Sequence, residues 1–472
     1  MTALTFGGQQ QAGNITYNTF SQATSIKVGP TGTYQATETY SYDSQTGLLT
    51  NQKVQQNGQT LLDLSYDYQR LNSSGSTTSG KTGNLTKITN NLNSNKNREY
   101  EYDALGRLRK ATGGTNLWWQ AYSYDRYGNK TGVSKSGNAA DGSAIPLDGA
   151  ASLSYNAANN RITTSGYYYD VAGNQTRALA PDGVTWLNFE YDSANRLRIV
   201  KRDNGTALEA YQYGATNARL MNYSYATNLL TLYASIGGKV LAEYPDFTSA
   251  VPTWTKSYTY LGSRLLSTIY NSGGTEVTEY SHPDRLGTRL ITRQSAGTNF
   301  EQTTLPFGTY LAGESTGATA QLFTSYDRSG QTGLDYAINR TYDSRQGRFT
   351  QVDPIGMAAA SIGNPQSLNM DAYVQNNPID FVDPSGLNQE APILRIETWT
   401  YSNDSFARFI WFVLFGSGGG GGRGGETGGI GGGGGSPRTD KKEGETCKDL
   451  VSNLVNAFYN SVGVMTSRKR YS

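Results

Sequence analysis

Between Tyr40 and about Leu266, apolar and polar positions alternate with a period of two, and the alternation is broken at regular intervals by Asp and by Gly or Asn. The alternating part reads Tyr-x-Tyr, which sets two rings on one face of a strand. Asp then opens a turn, and Gly or Asn three or four residues later supplies the positive φ that reverses the chain. The clearest copies are YSYDSQTGLL from Tyr40, YEYDALGRLRK from Tyr100, YSYDRYGNKT from Tyr122, YYYDVAGNQT from Tyr167 and FEYDSANRLR from Phe189. Weaker copies lie at Tyr66, Tyr155, Tyr211 and Tyr258. Tyr102 and Tyr124 are 22 residues apart, as are Tyr169, Tyr191 and Tyr213. That period suits one strand pair per unit. The pattern predicts an all-β array of stacked hairpins, with each Asp a turn cap rather than a metal ligand. Neighbouring units bury each other's tyrosine faces, so stability is close to a nearest-neighbour sum and the ends need caps.

Composition sharpens this picture. The chain has 472 residues with 56 Gly, 34 Tyr and 14 Phe. The excess of Tyr over Phe suggests strands with one wet face, each ring packing its body and keeping its hydroxyl in water. Forty basic against 38 acidic residues give a formal charge of +2, which offers no electrostatic case for nucleic acid or a membrane surface. A single histidine, His282, excludes HExxH zinc sites and HNH-type nuclease sites within this chain. Cys447 stands alone and forms no internal disulfide. No charged segment followed by an apolar one opens the sequence, so no signal peptide is visible.

The motifs that carry chemistry lie between Gly333 and Leu387: GLDYAINRTYDSRQGRFTQVDPIG, a short insert, then SLNMDAYVQNNPIDFVDPSGL. Two Asp-Pro-x-Gly turns, at Asp353 and Asp383, close this stretch. In one reading each Asp caps its own type I turn. In the other the two carboxyls meet and share one proton, one drawing a proton from water while the other protonates a peptide carbonyl.

The order GRF, VDPIG, AYVxNNP and VDPSGL resembles the core that closes Rhs (rearrangement hotspot) and YD-repeat proteins, a family that includes the C subunits of insecticidal toxin complexes and, more distantly, the teneurins. The likeness covers about 55 residues closely and the repeats before them loosely. It implies a spiral β-sheet that forms a hollow shell, a core that plugs one end, and an aspartyl-protease-like pair that cuts the chain after the DPxGL leucine. Carried over residue by residue, the pair is Asp353 and Asp383, and the cut falls between Leu387 and Asn388. Arg348, in the GRF triplet, matches a basic residue near the pair that would bias their shared proton. The implied organisation is a YD-repeat array over residues 1–310, a core over 311–387 and a variable segment over 388–472. Its implied partners are the C-terminal segment itself, an immunity protein and a secretion apparatus, at a secreted or cell-surface location, with no cofactor.

This sequence departs from the family pattern in places. The stretch between the two DPxG turns, Ala358 to Met370, carries extra residues, and Met370 and Asp371 replace an aromatic-containing approach. In EYSHPDRLGTRLITR, from Glu279, Arg285 stands where the family's YxxDHLGxxR element has histidine. His282 is expected on a turn or at the surface.

The segment after Leu387 divides into three. The run FARFIWFVLF, with Arg408 inside it, is too short to cross a bilayer as a helix. Residues 416–435 are a nearly pure glycine linker without the strand and G-K-[ST] of a phosphate loop. From Cys447, Leu450, Val451, Leu454, Val455 and Phe458 share one face of a short amphipathic helix, so the expected tail is partly disordered and partly helical. The resemblance places a toxin domain here, yet no catalytic constellation is visible. The primary expectation is a scaffold that encloses or carries its C-terminal segment and releases it by self-cleavage, the only activity these residues suggest. A surface protein whose tyrosines bind carbohydrate or a partner cell, and an inactive fragment of a longer chain, remain as alternatives.

Overall fold

In the computed structural model, which describes residues 3–391 apart from 7, 8, 33, 72–76, 82, 246–253, 294–298 and 362, the alternating stretches are antiparallel strands. Two meandering sheets hold most of them. One has eleven strands, from Ala3–Phe6 to Lys130–Gly137, and the other thirteen, from Tyr168–Tyr169 to Phe300–Glu301. Strands pair with their neighbours in sequence except where Gln59–Asp67 pairs with Lys87–Asn90, and the residues between form a separate hairpin, Gln69–Leu71 with Thr77–Lys81. A four-stranded sheet from Asp327–Arg328 to Arg348–Phe349 follows. Helical geometry among the described residues is limited to short 3-10 turns, and none is long and apolar enough to cross a membrane. The apolar run, the glycine linker and the amphipathic helix expected after Leu387 lie outside the described residues.

The repeat unit explains its own residues. Its first tyrosine is buried: Tyr40, Tyr100 and Tyr122 are each at most 5% exposed. At the second tyrosine the strand register slips by a bulge, between Ser123 and Tyr124, Glu190 and Tyr191, and Gln212 and Tyr213. A bulge re-aims a side chain, and here the second ring turns back over the preceding strand. Tyr124 Oη donates to Leu108 O, Tyr191 Oη to Gln175 O and Tyr213 Oη to Leu197 O, each at 2.7 Å across 16 residues. The hydroxyls expected in water are instead bonded to backbone carbonyls, which is why the repeat uses Tyr where Phe would pack equally well. Tyr213→Phe is expected to lower stability by about 1 kcal/mol through loss of that bond, read as a shift in urea midpoint at constant m-value.

The Asp of each unit caps its turn. Asp125 Oδ1 accepts from Tyr127 N at 2.8 Å and Asn129 N at 2.9 Å, and Asp192 Oδ1 from Ala194 N and Arg196 N at 2.9 and 3.0 Å. Gly128 and Asn195 supply the positive φ, +80° and +60°. The Asn-or-Arg position that follows ties one unit to the next. Arg107 Nε donates to its own Asp103 at 2.7 Å while Nη1 donates to Asp125 O at 2.9 Å, and Arg196 joins Asp192 to Gly214 O in the same way, both at 2.8 Å. A stitch therefore runs from turn to turn along one end of the array.

The two sheets meet face to face where strands near residue 280 cover strands near residue 40. The Tyr280 ring lies 3.3 Å from the position a Cβ would take on Gly29, whose φ is +91°, so a side chain there would be strained in its backbone and would crowd the ring. His282, expected on a turn or at the surface, is fully buried in the strand Thr275–Pro283. Its Nδ1 lies 2.5 Å from Glu38 Oε1 and its Nε2 2.8 Å from Thr292 Oγ1. The Pro-Asp that follows signals a turn, but the partner that keeps the imidazole inside lies 244 residues away on the other sheet. Burial pushes the Glu38 carboxyl up, but Arg264 and His282 outweigh it and hold it at about 2.

The stretch after Tyr310 rests on the turn ends of the array. Gln366 Nε2 donates to Leu105 O at 3.1 Å, Asn369 Nδ2 to Tyr127 O at 3.1 Å, Asn376 Nδ2 to Gly128 O at 2.7 Å and Tyr336 Oη to Asn217 O at 2.9 Å. Gln366 and Asn369 belong to the extra residues between the two DPxG turns, so that insert is a clamp on two neighbouring hairpin turns.

Candidate functional site

Five aromatic rings form the floor of the site. Phe323, Tyr326, Tyr342, Phe349 and Tyr373 are each 2% exposed or less, with Tyr342 and Tyr373 centroids 4.8 Å apart and Phe323 and Tyr342 5.5 Å apart. Tyr342 and Phe349 come from paired strands of the small sheet, Arg340–Asp343 and Arg348–Phe349. Over that floor sits Arg340, its Cζ 3.7 Å from the Phe349 ring centroid.

Arg340 brings the two DPxG turns together. Its Nη2 is 3.2 Å from Asp353 Oδ2 and 3.1 Å from Asp383 Oδ2, contacts that cap the separation of those two oxygens at 6.3 Å. Its Nε donates to Gly386 O at 2.5 Å and its Nη1 to Met370 O at 2.8 Å. Both carboxylates are at least nine-tenths buried. Each divides its oxygens: Oδ2 faces Arg340, and Oδ1 caps its own turn. Asp353 Oδ1 accepts from Ile355 N at 2.9 Å; Asp383 Oδ1 accepts from Leu387 N at 2.9 Å and from Asn388 N at 3.1 Å. Turn capping and convergence coexist because one carboxylate serves both. The last of these contacts bears on chemistry, since Asn388 N is the nitrogen of the Leu387–Asn388 peptide.

Gly386 makes the approach tight. Its φ is +69°, and a Cβ there would sit 2.6 Å from Ala337 O. Tyr326 Oη donates to the main-chain carbonyl of Asp383, fixing the start of the same turn. Burial raises the Asp383 carboxyl, and Arg340 with the Leu387 and Asn388 amides offsets part of that rise.

Arg348 lies elsewhere in the cluster. Its guanidinium pairs with Asp371 and sits 5.3 Å from the Tyr155 ring centroid, while the Asp371 carbonyl accepts from Phe349 N at 2.9 Å. The guanidinium that touches both carboxylates is Arg340's, a residue sequence reasoning did not single out. The available signal was its strand, Arg340-Thr341-Tyr342-Asp343, in which all four residues are buried. A cation on a strand with no wet face needs an anion from elsewhere in the fold.

Backbone strain collects around this site. Outside it, the non-glycine residues with positive φ among the described residues are asparagines apart from Ser21, which suits tight turns. Around it, Thr324, Ser325, Ile338, Val374, Gln375 and Asn376 all have positive φ, and β-branched Val374 sits at +39°. Such conformations persist only where packing over-determines them. The aromatic floor and the Asn376 contact to Gly128 do that here.

Asp343 caps the turn that leads from Tyr342 to Arg348. It accepts from Arg345 N at 2.9 Å and Gln346 Nε2 at 2.7 Å, and its full burial pushes its carboxyl up to about 6. The folded chain thus holds this proton more tightly than the unfolded chain, whose Asp titrates near 4. Stability from this group is highest below about pH 4, falls as pH rises through 4 to 6, and is level above. Asp343→Asn is expected to remove that slope, so that the wild-type-minus-variant stability falls by up to about 3 kcal/mol between pH 4 and 7 in urea titrations.

Among the described residues no group of His, Cys, Asp and Glu is placed to hold a metal ion. No family model matches the sequence. The chain is 27% identical over 297 residues to the tRNA3(Ser)-specific nuclease WapA of Bacillus spizizenii and 27% identical over 300 residues to the tRNA nuclease WapA of Bacillus subtilis; each match covers 60% of this chain and 12% of the relative. Its fold matches the crystal structure of TcdB2-TccC3 with a TM-score of 0.61 at 21% identity, covering 82% of this chain and 20% of that one. The Photorhabdus luminescens Tc holotoxin pore, with a mutated TccC3, gives a TM-score of 0.59 at 19% identity, covering 83% and 20%. At these identities the solved structures speak for the fold. The chain spans a fifth or less of the length of each of these proteins.

Proposed function

We propose that this chain, a distant Rhs/YD-repeat relative of the WapA proteins with the fold of the TccC3-containing shells, carries its own C-terminal segment and releases it by one intramolecular cut between Leu387 and Asn388. The observation that carries the reading is the convergence of Asp353 and Asp383 on one guanidinium nitrogen, with the second oxygen of Asp383 on the amide of that peptide. A buried trio of one cation and two carboxylates is neutral when one carboxyl keeps its proton. That is the protonation state that acid–base hydrolysis needs. In the step, one carboxylate takes a proton from water, the water oxygen bonds to the Leu387 carbonyl carbon, and the carbon–nitrogen bond breaks as Asn388 N receives a proton. Asp383, raised by burial and already at that nitrogen, suits the donor role, which leaves Asp353 as the base.

The regions follow the same reading: an array over 1–310 that spirals into a shell, a core over 311–387 that closes one end, and a passenger over 388–472, within a bacterial toxin or competition system that acts outside the producing cell. Glycan stacking on the repeats is not favoured, because the first ring of each clear unit is buried and the second is hydrogen-bonded to main chain, Tyr42, Tyr102, Tyr124 and Tyr191 to a carbonyl and Tyr169 to the Ile162 amide. Intact-mass measurement of the freshly purified chain tests the proposal. A C-terminal fragment beginning at Asn388 supports it, and a single species of full mass overturns it.

A further inference from the structure

Beyond Asn388 the chain turns back on itself. The Val382 amide donates to Glu390 O at 2.9 Å and the Glu390 amide donates to Val382 O at 2.7 Å, an isolated antiparallel bridge. Residues 382–390 therefore form a closed loop, with Asp383 beside one foot and the Leu387–Asn388 bond near the other. Within the loop Asp383 Oδ1 accepts from both Leu387 N and Asn388 N. The side chains of Asn388, Gln389 and Glu390 are exposed. What holds this stretch is main chain.

We propose that the Val382–Glu390 bridge is the positioning device for the cut: it lays the downstream chain against Asp383 through the backbone alone, so position 390 is read for its N–H and not for its side chain. The proposal rests on the self-cleavage reading above. A bond that leaves a tight turn toward open chain sweeps many orientations, and only those that keep the Asn388 nitrogen on the Asp383 carboxyl are productive. One hydrogen bond at Asn388 fixes position without fixing direction. A second tether two residues on fixes both, as the paired bonds of a sheet do. The chemistry is unchanged: water adds to the Leu387 carbonyl carbon and the proton goes to Asn388 N. After the cut, the bridge amounts to two backbone hydrogen bonds, too few to retain a product by themselves. The contact that orients the bond therefore does not obstruct release.

The test is a pulse-chase of the full chain made by cell-free synthesis, following loss of the intact band. Glu390→Pro removes the donor and is expected to slow the cut by about tenfold or more. Glu390→Ala, Glu390→Gln and Gln389→Ala are expected to cut at the wild-type rate. Because the bridge lies at an exposed edge, Glu390→Pro is also expected to keep the wild-type urea midpoint and pH profile, with only the rate lowered. A Glu390→Pro chain cut as fast as wild type overturns the positioning role, and so does a Glu390→Ala chain as slow as the proline variant. A wild-type chain that stays whole while folded overturns the self-cleavage reading, and the positioning role with it.

Discussion

Asp383→Asn is expected to leave the chain as one species of 51.2 kDa, where the wild type gives fragments of about 42 and about 9 kDa, in proportion to 387 and 85 of 472 residues. The change is nearly isosteric, and its retained oxygen still accepts from Leu387 N and Asn388 N, so the turn survives. What it loses is the exchangeable proton. A positioned acid or base contributes roughly 10²–10⁴ in rate, enough to turn a cut completed during expression into one that is not visible. Asp353→Asn is expected to do the same, for want of the partner carboxylate on Arg340. Denaturing electrophoresis with intact mass reads both. Wild-type fragmentation in either variant would remove that residue from the chemistry.

Arg340→Met is expected to be the most destabilising single change in the core, at about 3–5 kcal/mol, because it strands two buried carboxylates without their cation. Methionine fills much of the volume over Phe349, so the loss is electrostatic rather than a cavity. The triple variant Asp353→Asn, Asp383→Asn, Arg340→Met is therefore expected to recover most of that stability, since no charge is left unpaired. Urea unfolding of the wild type, the single and the triple variant measures the coupling. A triple variant as unstable as the single one would show that Arg340 acts through its packing and its bonds to Gly386 and Met370 instead.

The repeats were readable because everything they need is local. Asp125, Gly128 and Tyr124 sit within five residues, and the turn they make follows from their own side chains. The hydroxyl acceptors were not readable from composition, because Leu108 O becomes a partner of Tyr124 only once the bulge has re-aimed the ring. The DPxG turns announced themselves, but their meeting depends on Arg340, which adds a third position to a pair otherwise 30 residues apart. His282, expected on a turn or at the surface, is buried for the same reason that the tyrosine hydroxyls are bonded: its partner is brought to it by the fold, from 244 residues away. Local chemistry shows in the sequence. Contacts set by how one sheet lies on another do not.

The Arg and Asn stitches from turn to turn have a consequence for how such chains change over generations. A copy such as Asp103 with Arg107 or Asp192 with Arg196 brings its own cap and its own link to the next, so a whole copy of that kind can be gained or lost in the middle of the run while the bonds on either side re-form unchanged. The number of copies is free to drift. Phase is not: a gain of half a copy would point Gly128 and Leu105 away from Asn376 and Gln366, and the closing stretch would have nothing to stand on.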